Sequence, residues 1–103
     1  MMNLFKSIFG GSDVDVKSLV ANGAMIVDVR TPDEFKSGHI KGAVNMPLGT
    51  IANHITKLQK HEGPIIAYCR SGNRSSMAVR EMKTLGLDAH NGGGIGEMQA
   101  ALR

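Results

Sequence analysis

The apolar residues of the chain form short blocks, some with the spacing of strands and some with the spacing of helices. Two unbroken runs of strand length, Met25–Val29 and Ile65–Cys69, predict buried strands. Apolar residues at helical spacing predict one amphipathic helix from about Thr50 to Lys60 and another over Ser75–Leu85. A last short strand is expected over Leu87–Asn91. Strands that alternate with helices favour an α/β fold, with a mostly parallel sheet covered by helices on both faces.

Polar residues and glycines mark where these elements begin and end. Thr31–Glu34 has the form of a capping box, a Thr followed three residues later by Glu, with Pro at the first helical position. Gly38 is expected to end the helix that starts there, and Gly86 to end the helix after the second strand. Gly92–Gly94 predicts a turn from the last strand into a final helix that ends near Leu102.

Length and composition limit the architecture to one domain. The chain has 103 residues, of which 42% are hydrophobic, enough for one modest core. A single cysteine excludes an intramolecular disulfide, a CxxC redox pair and two-cysteine zinc motifs. The four histidines show no HxH or HExxH spacing, so no metal site is expected.

The N-terminal segment differs from the rest of the chain. Residues 1–12 carry apolar side chains at helical spacing and end in Gly-Gly-Ser, which predicts an amphipathic segment followed by one domain over residues 13–103. No apolar run is longer than five residues, so no stable membrane insertion is expected. The pattern of a signal peptide is missing, and we expect a cytoplasmic protein.

Basic residues cluster directly after the cysteine. The stretch from Cys69 to Lys83 holds four cations and one acid, and so accounts for the whole formal net charge of +3. A charge this small, with four scattered aromatic residues, lacks the basic and aromatic pattern of nucleic-acid binding, so no nucleic-acid partner is expected. The residues of the cluster are Arg70, Arg74, Arg80 and Lys83, with Glu81 as the acid.

Cys69 lies where a parallel sheet usually binds its ligands, at the carboxyl end of a strand and before a helix. The short loop that follows must curl sharply, and Gly72 and Asn73 tolerate the dihedral angles that such a curl needs. Successive N–H groups in this kind of turn bind anions. Arginines and a helix N-terminus lower the pKa of a thiol from ~8.5, which favours a nucleophilic thiolate over a merely structural cysteine.

Three stretches resemble the single-domain rhodaneses, the thiosulfate sulfurtransferases. The first is Val27–Phe35, which is followed by Gly38–Asn45 and Pro47. The second is the loop from Cys69 to Ser75, and the third is the glycine-rich turn before the last helix. The resemblance implies a rhodanese-like α/β domain with a five-stranded sheet. Many members of the family have Trp in the last helix, where this chain has Met98.

The resemblance also implies roles for individual residues. Cys69 would be the catalytic nucleophile that accepts the sulfur. The rest of the loop would bind the anionic substrate, namely Arg70, Ser71, Gly72, Asn73, Arg74 and Ser75. Four polar residues after the first strand would hold loops together as structural support, namely Asp28, Arg30, Glu34 and His39.

The leading hypothesis is therefore a sulfurtransferase that uses no metal or organic cofactor. It would move a sulfane sulfur from thiosulfate, or from another persulfide donor, to a thiol or to cyanide through a Cys69 persulfide. A sulfur carrier loaded by a partner protein would use the same cysteine and remains an alternative. Phosphatases and arsenate reductases of this fold class carry a Cys-x5-Arg loop, one residue longer than the loop here, and are disfavoured. A non-catalytic interaction domain is disfavoured because Cys69 and both loop arginines are present.

Overall fold

The structure is a computed structural model that describes residues 14–103, so the predicted amphipathic segment 1–12 lies outside the described residues. Within the described part, no helix is long and apolar enough to cross a membrane. The strands are β1 (Met25–Asp28), β2 (Val44–Asn45), β3 (Ile65–Cys69) and β4 (Ala89–Gly94). The α-helices are α1 (Val16–Ala21), α2 (Pro32–Lys36), α3 (Ile55–Lys60), α4 (Asn73–Thr84) and α5 (Ile95–Ala101), and a 3₁₀ helix spans Ile51–His54.

The sheet has the order β2-β1-β3-β4, and all neighbouring strands are parallel. The carboxyl ends of β1 and β3 are level, because Asp28 pairs with Tyr68. The α/β class and the parallel sheet are confirmed. Five strands were expected, but residues 14–103 form four. The described chain between these strands forms helices and turns and leaves no segment for a fifth strand.

β4 extends further than the sequence predicts. The expected strand Leu87–Asn91 ends in the expected turn at Gly92–Gly94, whereas the observed strand runs on to Gly94. The register of β4 against β3 shifts after Asn91, and Gly93 takes up the irregularity with a φ of +88°. The predicted turn is therefore wrong, since the glycines form the irregular end of the strand.

The predicted helices exist, with shifted ends. The segment predicted as one helix from Thr50 to Lys60 divides into the 3₁₀ helix and α3. α4 begins two residues before the predicted start at Ser75, because Gly72 has a left-handed φ of +101° and turns the chain directly into the helix. The capping box of α2 is confirmed: the Glu34 N–H donates to Thr31 Oγ1 at 3.2 Å, and the Thr31 N–H donates to Glu34 Oε1 at 3.0 Å.

β3 is the centre of the fold and is buried on both of its faces. Ile65, Ala67 and Cys69 point to one apolar cluster, which α3 and α4 cover. Ile66 and Tyr68 point to a second cluster, which α1 and α5 cover. Side chains of a strand alternate between the two faces of a sheet, so an unbroken apolar run is what a strand between two helical layers requires. The helices on both faces are thereby confirmed.

Candidate functional site

The thiol lies at the carboxyl end of the central strand, inside the curl of the loop that follows. Cys69 is the last residue of β3, and its residue surface is 0% exposed. The N–H of Gly72 donates to its Sγ at 3.0 Å, and the N–H of Ser75 donates to it at 3.4 Å. The left-handed conformation of Gly72 turns the backbone back towards the sulfur, and glycine adopts that conformation without strain. The predicted curl of the loop is therefore present around the thiol, with two backbone N–H groups directed at the sulfur.

Opposing effects set the pKa of Cys69. Burial is the largest effect and raises the pKa, because the charged thiolate loses water. The Ser75 hydroxyl and the N–H groups of Ser75, Gly72 and Ser71 together outweigh burial, and the pKa is lower than that of an ordinary thiol. The direction matches the expectation from the sequence, but hydrogen bonds from the loop are what lower the pKa most.

Ser75 connects the thiol to the neighbouring strand. Its side chain is fully buried, and its Oγ lies 3.4 Å from Cys69 Sγ and 2.7 Å from Asn91 Oδ1. A hydroxyl has one proton to donate, and the acceptors within reach of Ser75 Oγ include Asn91 Oδ1, the sulfur and the Gly72 carbonyl at 3.1 Å. Ser75 therefore cannot donate to Asn91 and to the sulfur at the same time. A neutral thiol can donate to the Ser75 oxygen, whereas a thiolate needs the Ser75 proton. Ser75 is therefore placed to hold either protonation state of Cys69.

Asn91 is a site residue that the sequence analysis assigned only to the end of a strand. Its Nδ2 donates to the Gly72 carbonyl at 3.2 Å, its Oδ1 accepts the N–H of Gly93 at 2.9 Å, and the same Oδ1 is one of the acceptors within reach of the Ser75 hydroxyl. Asn91 thus ties the active loop to β4. An asparagine directly before a run of glycines is unusual inside a strand, and this is the signal that could have identified it.

Arg74 and Glu34 form one ion pair across the site. Arg74 Nη1 donates to Glu34 Oε1 at 2.7 Å, and Nη2 donates to Oε2 at 3.0 Å. The hydrogen bond from Arg74, followed by the one from the Thr31 backbone, lowers the pKa of Glu34 to about 2. The sequence predicts Arg74 as an anion ligand and Glu34 as loop support. The structure joins them, so the guanidinium is already bound to a carboxylate.

The remaining loop side chains face solvent. Arg70, Ser71 and Asn73 are exposed. Among residues 14–103, Arg70 forms no ion pair, so its charge is not neutralised by a described carboxylate. Arg70 is therefore an exposed loop cation whose charge faces solvent.

Asp28 and Arg30 form a buried clamp at the end of β1. Arg30 Nη2 lies 2.7 Å from Asp28 Oδ2 and donates to the Gly38 carbonyl at 2.6 Å. The backbone N–H of Arg30 donates to Asp28 Oδ1 at 2.9 Å. The guanidinium carbon also lies 5.8 Å from the centre of the Tyr68 ring. These contacts join the chain after α2 to the end of β1.

His39 has its contacts with α2 and not with the active loop. Its ring stacks on Phe35 with centroids 3.6 Å apart, and its Nδ1 lies 2.8 Å from the Phe35 carbonyl. The side chain is exposed and closes the carboxyl end of α2. These contacts of His39 are therefore local to that helix, and its supporting role remains a prediction.

Met98 of the last helix takes the place at which many relatives have Trp, and it packs into the apolar core. Its side chain is fully buried in the cluster with Ile66 and Tyr68. A β-carbon on Gly92 would collide with Met98 Sδ, so the glycine makes room for the methionine. Met98 and Gly92 thus fill this part of the core together.

The chemistry available to the site is that of a buried thiolate held by N–H groups. Within residues 14–103, no three His, Cys, Asp or Glu side chains lie close enough together to hold a metal ion. The thiol is not in a disulfide. Sγ faces hydrogen-bond donors that stabilise negative charge, an arrangement that suits nucleophilic attack and a covalent intermediate on sulfur.

Comparison with known sequences places this site in one family. The sequence profile of the rhodanese family, described as "Rhodanese-like domain", matches residues 12–99. The chain is 35% identical over 78 residues to thiosulfate sulfurtransferase GlpE of Ectopseudomonas mendocina, covering 76% of this chain and 68% of that protein. It is 41% identical over 61 residues to YrkF of Bacillus subtilis, whose name marks it as a proposed sulfur carrier, covering 59% of this chain and 32% of that protein.

The solved structures agree with the sequence comparison. A structure titled "rhodanese with anions from E. coli" superposes with a TM-score of 0.67 at 27% identity, covering 73% of this chain and 91% of that one. The chain spans only about a third to a half of the length of several curated relatives that it matches. The fold, the profile match and the thiol loop lead to the same conclusion: this chain belongs to the rhodanese-like domain family.

Proposed function

We propose that the chain is a sulfurtransferase in which Cys69 carries the transferred sulfur as a persulfide. The observation that carries this proposal is the pair of N–H groups, of Gly72 and Ser75, that donate to Cys69 Sγ at 3.0 and 3.4 Å. Donors in these positions stabilise negative charge on sulfur, in the thiolate and in the persulfide that replaces it. The name of the GlpE relative supports thiosulfate as the donor.

In the first half-reaction, the Cys69 thiolate attacks the outer sulfur of thiosulfate. A new sulfur–sulfur bond forms, the sulfur–sulfur bond of thiosulfate breaks, and sulfite leaves with the bonding electron pair. No proton has to move in this step. This agrees with the described hydrogen-bond partners of Sγ, which include a hydroxyl and N–H groups but no carboxyl or imidazole.

In the second half-reaction, a thiolate or cyanide attacks the outer sulfur of the persulfide. The bond between that sulfur and Cys69 Sγ breaks, and the electron pair returns to Sγ as a thiolate. The same N–H groups that held the first thiolate hold this one, so the site returns to its starting state without a cofactor. A lone cysteine that must stay reduced also fits a reducing compartment such as the cytoplasm.

Arg70 is the side chain that would attract the donor. Thiosulfate carries two negative charges, and Arg70 is exposed at the loop without a described ion-pair partner. The charge of Arg74 is offset by Glu34. Arg70 therefore attracts the donor, while Arg74 anchors the start of α4 to α2.

A phosphatase or an arsenate reductase fits the site less well. Four residues separate Cys69 from Arg74, and the Arg74 guanidinium donates to Glu34 through two hydrogen bonds. An arginine held in this way cannot grip an oxyanion with the same two N–H groups. We therefore expect the wild-type chain to show no measurable hydrolysis of an aryl phosphate under conditions in which thiosulfate loads Cys69.

The sulfur carrier is a second candidate, favoured by the similarity to YrkF. A carrier would accept a sulfur on Cys69 and release it only to a partner protein. Both candidates predict the same persulfide, and they differ in turnover. Repeated sulfur transfer from thiosulfate to cyanide favours the enzyme, whereas loading without turnover favours the carrier.

The decisive experiment is intact-mass spectrometry after incubation with thiosulfate. The wild type should gain one sulfur atom, and added cyanide should remove it. Cys69→Ser should gain none and should keep its circular dichroism spectrum, because the change is small and the site is polar. Ser18→Ala, on the exposed surface of α1, is the control and should load like the wild type. A Cys69→Ser protein that still transfers sulfur would refute the proposal.

A further inference from the structure

The outer face of α4 begins at the thiol loop and forms a continuous exposed surface. The exposed residues of this helix follow the spacing i, i+3, i+4, i+7, i+10 and i+11, which is one side of an α-helix. We call this surface, together with Arg70 of the loop, the α4 face. Its helical residues are Asn73, Ser76, Met77, Arg80, Lys83 and Thr84.

The α4 face carries positive charge without matching acids. Arg70, Arg80 and Lys83 are exposed, and none of them forms an ion pair within residues 14–103. The one acid of the helix, Glu81, is partly buried and belongs to another side. Unpaired cations on one helix face create a local positive potential that attracts a negatively charged partner.

A groove widens this basic surface towards the edge of the sheet. It has a volume of about 380 Å³, lies between α4 and β4, and is lined in part by Arg80, Lys83 and His90. The carboxylate of Asp88 lies 2.8 Å from Nε2 of His90. An acidic side chain that entered this groove would meet two cations that have no described partner.

An apolar contact point lies within the α4 face. Met77 is 50% exposed, the most exposed of the large hydrophobic residues described. Methionine is flexible and polarisable, and it adapts to differently shaped partner surfaces. Methionine and arginine are more common at protein–protein interfaces than on the rest of a protein surface, so this composition favours a protein-binding patch.

The reach of the cations indicates the size of the partner. A helix rises about 1.5 Å per residue, so Arg80 lies about 10 Å and Lys83 about 15 Å along α4 from its first residue. A donor as small as thiosulfate fits within the loop that follows Cys69. It is too short to contact Arg80 or Lys83 while it is bound there. Cations at that distance serve a ligand that extends from the thiol along the helix.

We propose that the α4 face docks an acidic protein segment whose own thiol exchanges sulfur with Cys69. This proposal rests on the proposed function and adds the partner's chemistry and its position. The partner's thiolate attacks the outer sulfur of the Cys69 persulfide, the bond to Sγ breaks, and the electron pair returns to Sγ. The partner leaves as a persulfide. Carboxylates about three to five residues from its cysteine, which an extended chain places about 10–16 Å away, lie against Arg80 and Lys83 during this step.

The test uses two synthetic acceptor peptides that each carry one cysteine. Glutamates occupy the positions three to five residues from the cysteine in one peptide, and glutamines occupy the same positions in the other. The wild type is first loaded fully with thiosulfate and freed of excess donor, and the rate of sulfur transfer is then followed by mass spectrometry. The glutamate peptide should react about tenfold faster than the glutamine peptide at low salt. The difference should shrink as salt is added.

Charge reversal locates the effect on α4. Arg80→Glu/Lys83→Glu should remove the preference for the glutamate peptide, and the milder Arg80→Gln/Lys83→Gln should reduce it. Lys57→Glu/Lys60→Glu makes the same change in charge on exposed residues of α3 and should leave the preference intact. Complete loading by thiosulfate is checked for each variant, so that a loss of docking is distinguished from a loss of persulfide formation.

Three results would overturn the proposal while leaving the sulfurtransferase function in place. One is equal transfer rates to both peptides in the wild type, and another is an equal loss of preference in the α3 and α4 variants. The third is an oligonucleotide that binds the α4 face more tightly than the glutamate peptide and loses binding in Arg80→Glu/Lys83→Glu. Failure of the wild type to load with sulfur would instead refute the proposed function.

Discussion

Two arginine–carboxylate pairs support the site, and they differ mainly in depth. The Asp28–Arg30 pair has side chains that are 0% and 7% exposed, whereas in the Glu34–Arg74 pair they are 29% and 33% exposed. The shortest distance is 2.7 Å in both. The two ion pairs therefore have the same shortest distance, but one lies in the protein interior and the other lies partly in water.

Depth decides what each pair contributes. Breaking a buried pair leaves one charge without water and without a partner, which costs about 3–5 kcal/mol. An exposed pair contributes about 0–1 kcal/mol, because water screens the charges and replaces the lost contact. We therefore predict that Asp28–Arg30 contributes mainly to the stability of the fold, while Glu34–Arg74 mainly positions the loop that carries Cys69.

Arg30→Leu should give the largest effect. It leaves the Asp28 carboxylate buried without its partner and frees the Gly38 carbonyl, so the free energy of unfolding should fall by about 3–5 kcal/mol. Urea denaturation followed by circular dichroism measures this loss. The double variant Asp28→Asn/Arg30→Leu should recover part of it, because no uncompensated charge remains. If the free energy of unfolding of Arg30→Leu fell by less than about 1 kcal/mol, the buried pair would not be important for the stability of the fold.

Glu34→Gln should separate stability from activity. The free energy of unfolding should fall by no more than about 1 kcal/mol. The kcat/KM for thiosulfate should fall several-fold, because the start of α4 is no longer tied to α2 through Arg74. Asp33→Asn is the matched control, since Asp33 lies in the same first turn of α2, is exposed and has no described side-chain bond. An unchanged kcat/KM in Glu34→Gln would show that the Glu34–Arg74 ion pair does not position the loop for catalysis.

Acid should remove the contribution of the exposed pair. The folded-state pKa of Glu34 is about 2, below its ordinary value of 4.5, so the carboxylate stabilises the fold fully above pH 4.5. This stabilisation should decline as the pH falls from about 4.5 to about 2, where Glu34 becomes protonated in both states. The stability difference between wild type and Glu34→Gln, measured against pH, should follow this decline. A difference that stays constant down to pH 2 would contradict it.

Arg70→Ala should give the smallest effect on stability and still change binding. Arg70 is exposed and has no described ion-pair partner, so the free energy of unfolding should change by less than about 0.5 kcal/mol. The KM for thiosulfate should rise about tenfold or more, since a charge-assisted contact contributes about 1.5–3 kcal/mol. Added salt should raise the wild-type KM as well. Steady-state kinetics measures the KM of Arg70→Ala. An unchanged KM would show that Arg70 does not take part in binding the donor.

Local patterns in the sequence predict much of the fold. The unbroken apolar run of β3 identifies a strand buried on both faces, and the capping box at Thr31 identifies the start of α2. These features depend on neighbours in the sequence, so a single chain reveals them. The end of β4 was predicted wrongly because glycines usually mark turns, whereas Gly92 lies in the strand to make room for Met98.

The site is predicted in part. Cys69 and its curled loop follow from the order of strand, Gly72 and helix, and their positions agree with the prediction. The pairing of Arg74 with Glu34 joins residues 40 positions apart, and the contact of Asn91 with Ser75 joins different elements. Contacts of this kind depend on how elements pack, and no local pattern of one sequence specifies them. The catalytic and binding roles of the loop residues remain predictions.

Gly94 limits how the thiol loop can be redesigned. A β-carbon at this position would lie 2.5 Å from the Arg70 carbonyl oxygen, so the loop rests directly on the backbone of β4. The backbone of β4 is thus the floor beneath the loop and is already in contact with it. A residue inserted between Gly72 and Asn73, which would create a Cys-x5-Arg loop, could expand only outwards into solvent. Conversion of this scaffold to the phosphate or arsenate chemistry of Cys-x5-Arg loops would therefore require the floor and the loop to be rebuilt together.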